Sequence, residues 1–287
     1  MLSLRLADPR RRNALNDRSL RAVIDALELA HNDERVRAVL LSGEGGDFCS
    51  GFDIVARNAG SGGRPRPGAI QRRLPSQAHR LIPQLCELQV PVVCAVTGYA
   101  VGIGFQLALA SDFVVADTTA TFWQPFITRG MTPDSGATWL TARAVGPLRA
   151  RRLLMLGERL DADTASAWGV VHEVVEPGRA DEAAGALAAR LAAGPTVALG
   201  LTKALINQAA DAALREQLLG RGVRAGGLLP RPGLPRGPER LRGEARAEVH
   251  REIGGLDGHG ADRSAHADGR GRTVRRPAAR SSTARLS

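Results

Sequence analysis

Short apolar runs alternate with longer amphipathic stretches along most of this chain. Residues 2–6 follow a period of two, which predicts a strand, and residues 36–42 and 91–96 are the short, nearly unbroken apolar runs of buried strands. After Asn16 and Asp17, a suitable N-cap, an amphipathic period runs to about His31 and predicts a helix. Further helices are expected over residues 69–88, after Gly102, from Asp134, from Pro147, from Asp161 to the Trp168-Gly169 pair, over 180–193 and from Pro195 to about Leu219. Residues 113–116 and 170–175 complete the strands, and residues 58–68, rich in Gly, Pro, Arg and Ser, are expected to form a loop. Strands alternating with helices predict an α/β fold with mainly parallel pairing.

Two segments interrupt this pattern with chemistry. Asp47-Phe48-Cys49-Ser50-Gly51-Phe52-Asp53-Ile54 follows one apolar strand, and the segment from Thr97 through Gly98, Gly102 and Gly104 to Asp112 follows another. Each puts glycine where the backbone turns sharply, and glycine lets a ligand approach the main chain closely. The second segment runs straight into an apolar helix, whose first N–H groups and positive dipole end face the turn. Two such turns can aim two backbone N–H groups at one oxygen, the arrangement of an oxyanion hole.

Composition narrows the function classes. The 287 residues carry a net charge of +10, but 15 Arg against 7 Asp and Glu fall after residue 219, leaving +2 for residues 1–219. The basicity therefore belongs to the tail, and with aromatic residues at 3% there is little for nucleic-acid bases to stack on. No apolar run is long enough to cross a membrane, and the charged first ten residues do not read as a signal peptide, so the cytoplasm is the expected compartment. Cys49, Cys86 and Cys94 form an odd, unpatterned set that implies neither a disulfide nor a metal framework. Gly98 to Gly104 lacks the pattern and the acidic partner of a dinucleotide site.

The two glycine turns, in this order and spacing, resemble the crotonase (enoyl-CoA hydratase/isomerase) family. Asn13-Ala14-Leu15-Asn16 after an arginine run is similar to that family's N-terminal motif. The stretch from Arg129 through Thr132-Pro133-Asp134-Ser135-Gly136 to Trp139, followed by Val145-Gly146, resembles its mid-chain motif. The resemblance covers residues 2–219 and implies a crotonase-like spiral of repeated ββα units. The core is expected over residues 1–194 and a truncated C-terminal helical region over 195–219, followed by a basic, disordered tail over 220–287. It also implies an earlier strand before Leu2, so Met1 reads as a late start. Read one nucleotide later, degenerate codons for residues 232–251 admit a string like the usual end of a crotonase, so the tail is read as out-of-frame translation.

By the same resemblance, the N–H groups of Phe52 and Ile103, presented by Gly51 and Gly102, would hold the thioester carbonyl of an acyl-CoA. Arg10, Arg11 and Arg12, of which Arg11 and Arg12 are the candidates, carry guanidinium groups that pair well with the CoA phosphates and equally suit a solvated charged loop. No cofactor is implied beyond the coenzyme A of the substrate. Crotonase hydratases use two glutamates, and here those positions are Gln106 and Phe126, neither able to exchange a proton near neutral pH. Asp134 matches an aspartate that some isomerases of the family use to shuttle protons, and is expected in an apolar pocket facing Phe126. It equally suits a cap for a helix over residues 135–144. In the aryl-CoA dehalogenase branch the same position is the nucleophile and a histidine placed like His79 is the base, with Phe126 where that branch stacks an aromatic ring. Double-bond isomerisation is the expectation, with aryl-CoA dehalogenation or thioester hydrolysis, or a CoA-binding relic without turnover, as the alternatives. The family assembles as trimers or hexamers, which implies a homotrimer or hexamer here.

Overall fold

The structure, a computed structural model, describes residues 1–53, 78–215, 217–218, 249–250 and 284–286. Strand β1 (Leu2–Leu6) leads through a single 3₁₀ turn (Pro9–Arg11) into helix α1 (Asp17–Asn32) and strand β2 (Val39–Gly43). The order continues α2 (Ala78–Glu87), β3 (Val92–Val96), β4 (Tyr99–Val101), α3 (Ile103–Ala110), β5 (Phe113–Asp117) and β6 (Thr121–Trp123). A 3₁₀ turn (Ile127–Arg129), α4 (Ala137–Met155), β7 (Arg159–Asp161), α5 (Ala162–Ala167), β8 (Glu173–Val175), α6 (Ala180–Ala193) and α7 (Thr196–Ala209) follow.

The main sheet runs β1-β2-β3-β5-β8, every pair parallel, and β4-β6-β7 form a second, smaller sheet. Parallel strands are buried on both faces, and alternation along each strand divides the core accordingly. Val39, Leu41, Val92, Cys94, Val96 and Val114 join the large core with the helices α1 to α3. Leu40, Val93, Ala95 and Val115 face the opposite way and bury Ala180, Ala184, Leu187 and Ala188 of α6. Helix α1 turns Leu20, Val23, Ile24 and Leu27 inward at i, i+3, i+4 and i+7. Its start is fixed by Asn16, whose side chain accepts from the N–H groups of Arg18 and Ser19 while Ser19 Oγ closes the reciprocal bond. Cys49 and Cys94 are fully buried, and burial pushes the Cys49 thiol up to about 12 and the Cys94 thiol higher still, so both are small core residues.

Several expectations change. The small sheet was not foreseen, because three-residue strands are too short to show a period. The helix expected from Asp134 begins instead at Ala137, while the second helix expected from Pro147 is separated from it, as anticipated, by the non-helical Gly146, where φ is 78° and ψ 162°; the two together are labelled α4. The helix expected from Pro195 to about Leu219 is broken: α7 ends at Ala209, and helical residues resume at 214–215 and 217–218. The loop over 58–68 and the first part of the helix expected over 69–88 lie outside the described residues, as does most of the tail. Within the tail, where no regular element was expected, Val249–His250 (β9) and Ala284–Leu286 (β10) each pair in parallel with β1. A strand at a sheet edge presents unpaired N–H and C=O groups, and β1 offers such an edge on the side away from β2. Among the described residues, no single helix is long and apolar enough to cross a membrane.

A buried lysine helps pin the C-terminal helix to the core. Lys203 of α7 is 9% exposed, and its Nζ donates to Asp112 Oδ2 at 2.8 Å and to Leu85 O at 3.1 Å. Burial raises the Asp112 carboxyl above its ordinary range, against the lowering effect of Lys203 and of the Val92 N–H. Lys203→Met leaves that carboxylate without its cation, and should cost about 3 kcal/mol at neutral pH in a urea titration. Because Asp112 takes up a proton more readily than an ordinary aspartate, the cost should shrink as the pH is lowered.

Candidate active site

Main-chain bonds set the two glycine turns side by side. Phe48 N–H donates to Thr97 O, Cys49 N–H to Tyr99 O and Val101 N–H to Cys49 O, all between 2.7 and 2.9 Å, so Cys49 is bridged to Ala100. Two residues beyond each bridged position stand Gly51 (φ 105°) and Gly102 (φ 53°), and three beyond stand Phe52 and Ile103. The register therefore brings these two residues to equivalent places on neighbouring segments. Ile103 is the first residue of α3, one of the positions where a helix leaves its N–H without an intrahelical partner. Phe52 is bridged to Leu15, whose N–H donates to Gly51 O while Asp53 N–H donates back to Leu15 O.

Close approach enforces the arrangement. A Cβ on Gly104 would lie 2.6 Å from Cys49 O, and one on Gly98 would lie 2.1 Å from Gly46 O. Asn13, 1% exposed, ties the first turn from behind: its Nδ2 donates to Glu44 O and Asp47 O, and its Oδ1 accepts from Asp8 N–H. Asp47 Oδ1 accepts the Tyr99 N–H at 2.9 Å and so joins both turns. Three non-glycine residues among those described have positive φ: Arg12 at 51°, Asn13 at 54° and Ser135 at 50°. Such a conformation costs about 1–2 kcal/mol per residue and persists where the surroundings impose it. The first two abut the first turn, where Ser50 N–H donates to Arg12 O, and the third adjoins Asp134.

Gln106 lies one turn along α3 from Ile103 and is fully buried. Its Nε2 donates to the main-chain oxygen of Asp134 at 3.3 Å, and its Oε1 has no protein partner. A carbonyl only accepts, so the contact fixes which end of the amide faces Asp134. This bond brings the segment at Asp134 to the helix that begins at the second turn.

The sequence profile of the enoyl-CoA hydratase/isomerase family matches residues 1–222. The chain belongs to that family. A 1,2-epoxyphenylacetyl-CoA isomerase from Escherichia coli is 38% identical over 76% of this chain and 82% of its own. A 4-chlorobenzoyl coenzyme A dehalogenase from Arthrobacter is 32% identical over 74% of this chain and 76% of its own. The crystal structure of an enoyl-CoA hydratase from Polaromonas superposes with a TM-score of 0.74 at 35% identity, over 79% of this chain and 88% of that one. The mixed α/β architecture is thus the crotonase fold, as the motifs implied.

Within this enoyl-CoA hydratase/isomerase fold, the other expected site residues are distributed unevenly. Asp134 is exposed, not sunk in an apolar pocket facing Phe126, while Phe126 is buried against Ala137 and Leu154. Nor does Asp134 cap the following helix through its side chain. Two left-handed residues, Ser135 and Gly136, intervene before Ala137, Gly136 is the N-cap, and the Asp134 carboxylate accepts from Ser135 Oγ at 3.0 Å. His79 is exposed on α2 and shares a cleft of about 370 Å³ with Ser135, Gly136 and Trp139, so it faces the segment that carries Asp134. Arg11 and Arg12 stand beside the first turn, pairing with Asp53 at 3.4 Å and Asp47 at 3.7 Å, and Arg12 also lies over the Tyr99 ring. Their side chains are 58% and 63% exposed. Exposed pairs of this kind are worth little and leave both guanidinium groups available to an anion. The supporting roles of Asn13 and Ser135 were not foreseen. The residue types were visible, but a positive φ on a non-glycine is not written in a sequence.

Proposed function

We propose that this enzyme binds an acyl-CoA thioester with its carbonyl between the N–H groups of Phe52 and Ile103, and isomerises a carbon–carbon double bond. Asp134 takes the proton from the α-carbon, the C–H electron pair moves into an enolate, and the same carboxyl returns the proton at the γ-carbon. The oxyanion that develops is held more tightly than the neutral carbonyl, so the two N–H donors lower the barrier rather than only binding substrate. Arg11 and Arg12 meet the CoA phosphates at the mouth of the first turn, and no cofactor takes part beyond the coenzyme A of the substrate.

The observation that carries this reading is the bond from Gln106 to Asp134. The side chain one turn from the second N–H is an amide that cannot move a proton, and it anchors the segment of a carboxylate that can. With Phe126 inert as well, water lacks the paired carboxylates that would activate it. A 3-enoyl-CoA should therefore be converted to the conjugated thioester at least about 100-fold more efficiently than a 2-enoyl-CoA is hydrated. Ultraviolet absorbance of the conjugated thioester reads both rates, rising on isomerisation and falling on hydration, and comparable hydration would reject the reading.

One observation favours a second reading, hydrolytic dehalogenation or thioester hydrolysis of an aryl-CoA, since His79 opens on the cleft beside Ser135. Halide or free coenzyme A released from a halogenated aryl-CoA would select it, and no turnover of any CoA ester would select a relic that only binds. For assembly we infer a homotrimer or hexamer, supported by the exposed Leu148, Met155 and Leu156 on α4 and the turn after it. Light scattering reads the mass directly.

A further inference from the structure

We propose that Ser135 is a positioning residue that orients the Asp134 carboxylate, with Gln106 holding the other end of the same residue. This rests on the role given to Asp134 above. Ser135 stands at φ 50° and is 5% exposed, and it is followed by Gly136 at φ 79°. A glycine would take the left-handed conformation at position 135 without strain. Serine keeps the strain and adds one thing a glycine lacks, a hydroxyl, which donates to Asp134 Oδ1 at 3.0 Å. Strained non-glycine positions cluster at sites whose geometry has to be imposed. The other two among the described residues, Arg12 and Asn13, abut the first turn of this same site.

The main chain of Asp134 is fixed as firmly as its carboxylate. Its carbonyl oxygen accepts from Gln106 Nε2 at 3.3 Å and from Ala137 N–H at 2.9 Å, which joins it to α3 and to α4. An exposed carboxylate on a free loop would rotate among several rotamers. Here the serine bond selects one, leaving the second carboxylate oxygen to exchange the proton with the acyl chain. Gln106 thus stands where the hydratases carry a catalytic glutamate but serves a different end, holding the group that replaces it.

Glycine and alanine at position 135 separate this role from a merely structural one. Ser135→Gly relieves the strain, so its thermal midpoint should equal or exceed that of the wild type. Its kcat on a 3-enoyl-CoA should nonetheless fall about tenfold or more with KM unchanged, as expected for a lost hydrogen bond to a charged group. Ser135→Ala keeps the strain and loses the hydroxyl, so it should lose the same kcat without the gain in midpoint. Ser135→Asn tolerates the left-handed conformation and restores a donor, and should recover part of the rate. Wild-type kcat in Ser135→Gly overturns the proposal, as does an equal loss in Ser135→Asn. Asp134→Asn keeps the two layers distinct. If that variant is dead while Ser135→Gly is fully active, positioning fails and the role of Asp134 stands. If Asp134→Asn keeps its turnover, the reading of Asp134 fails and the positioning role falls with it.

Discussion

Asp134→Asn is expected to lower turnover of a 3-enoyl-CoA by about a thousandfold while leaving the dissociation constant of the CoA ester unchanged. The amide is nearly the size and shape of the carboxylate. It keeps the main-chain oxygen that accepts from Gln106 Nε2 and Ala137 N–H, so the segment stays in place. Its side-chain oxygen can still accept from Ser135 Oγ, which bonds the carboxylate at 3.0 Å in the native protein. Only the capacity to take and return a proton is removed. Binding is assigned to other groups, the N–H donors of the two turns and Arg11 and Arg12 beside them, and Asp134 is exposed rather than part of the packed core. A fall in kcat with unchanged affinity, read by steady-state kinetics beside calorimetric titration of a saturated acyl-CoA, is the signature of a group that acts on the transition state. Loss of binding together with rate would make Asp134 a substrate anchor instead.

Gly104→Ala is expected to lower turnover by about 10²–10³-fold through the geometry of the two turns alone. The added Cβ would lie 2.6 Å from Cys49 O and 2.7 Å from Cys49 Cβ, closer than real atoms approach. Neither contact is the end of a flexible side chain, so α3 must move away from the first turn. The Ile103 N–H moves with α3 and the Phe52 N–H does not. Within the helix itself alanine is the better residue, so far-ultraviolet circular dichroism should be unchanged, and the overpacking should cost about 1–3 kcal/mol of stability. Gly185→Ala is the control, because its Cβ would meet only Leu40 Cδ2 at 3.9 Å. It should keep full activity and a stability equal to or above that of the native protein.

Much of this site could be read from the sequence because its parts are local. The two turns announce themselves through glycines set between an apolar strand and, for the second, an apolar helix. Asn16 announces α1 because capping is decided within four residues. That neither Gln106 nor Phe126 can exchange a proton near neutral pH is likewise visible as residue type. What stayed hidden depends on distance or on dihedral angle. Lys203 and Asp112 are 91 residues apart, and nothing in either neighbourhood names the other. The exposure of Asp134 follows from Ser135 and Gly136 both turning left-handed, which delays α4 to Ala137 and takes the carboxylate off its expected cap. The Asp-Ser-Gly sequence fits an ordinary capped start equally well. The strands β4, β6 and β7 escaped because three residues carry too little period, yet β4 and β6 hold the second turn, where Gly102 N–H donates to Trp123 O at 2.9 Å.

The origin of the oxygen atoms in the product tests the central claim most directly. The enzyme is incubated with a 3-enoyl-CoA in oxygen-labelled water, and the products are weighed by mass spectrometry. Isomerisation through an enolate held by Phe52 and Ile103 predicts a conjugated 2-enoyl-CoA of unchanged mass, with no labelled oxygen. A labelled 3-hydroxyacyl-CoA, or a labelled free acid beside released coenzyme A, would show that water attacks after all and would contradict the account.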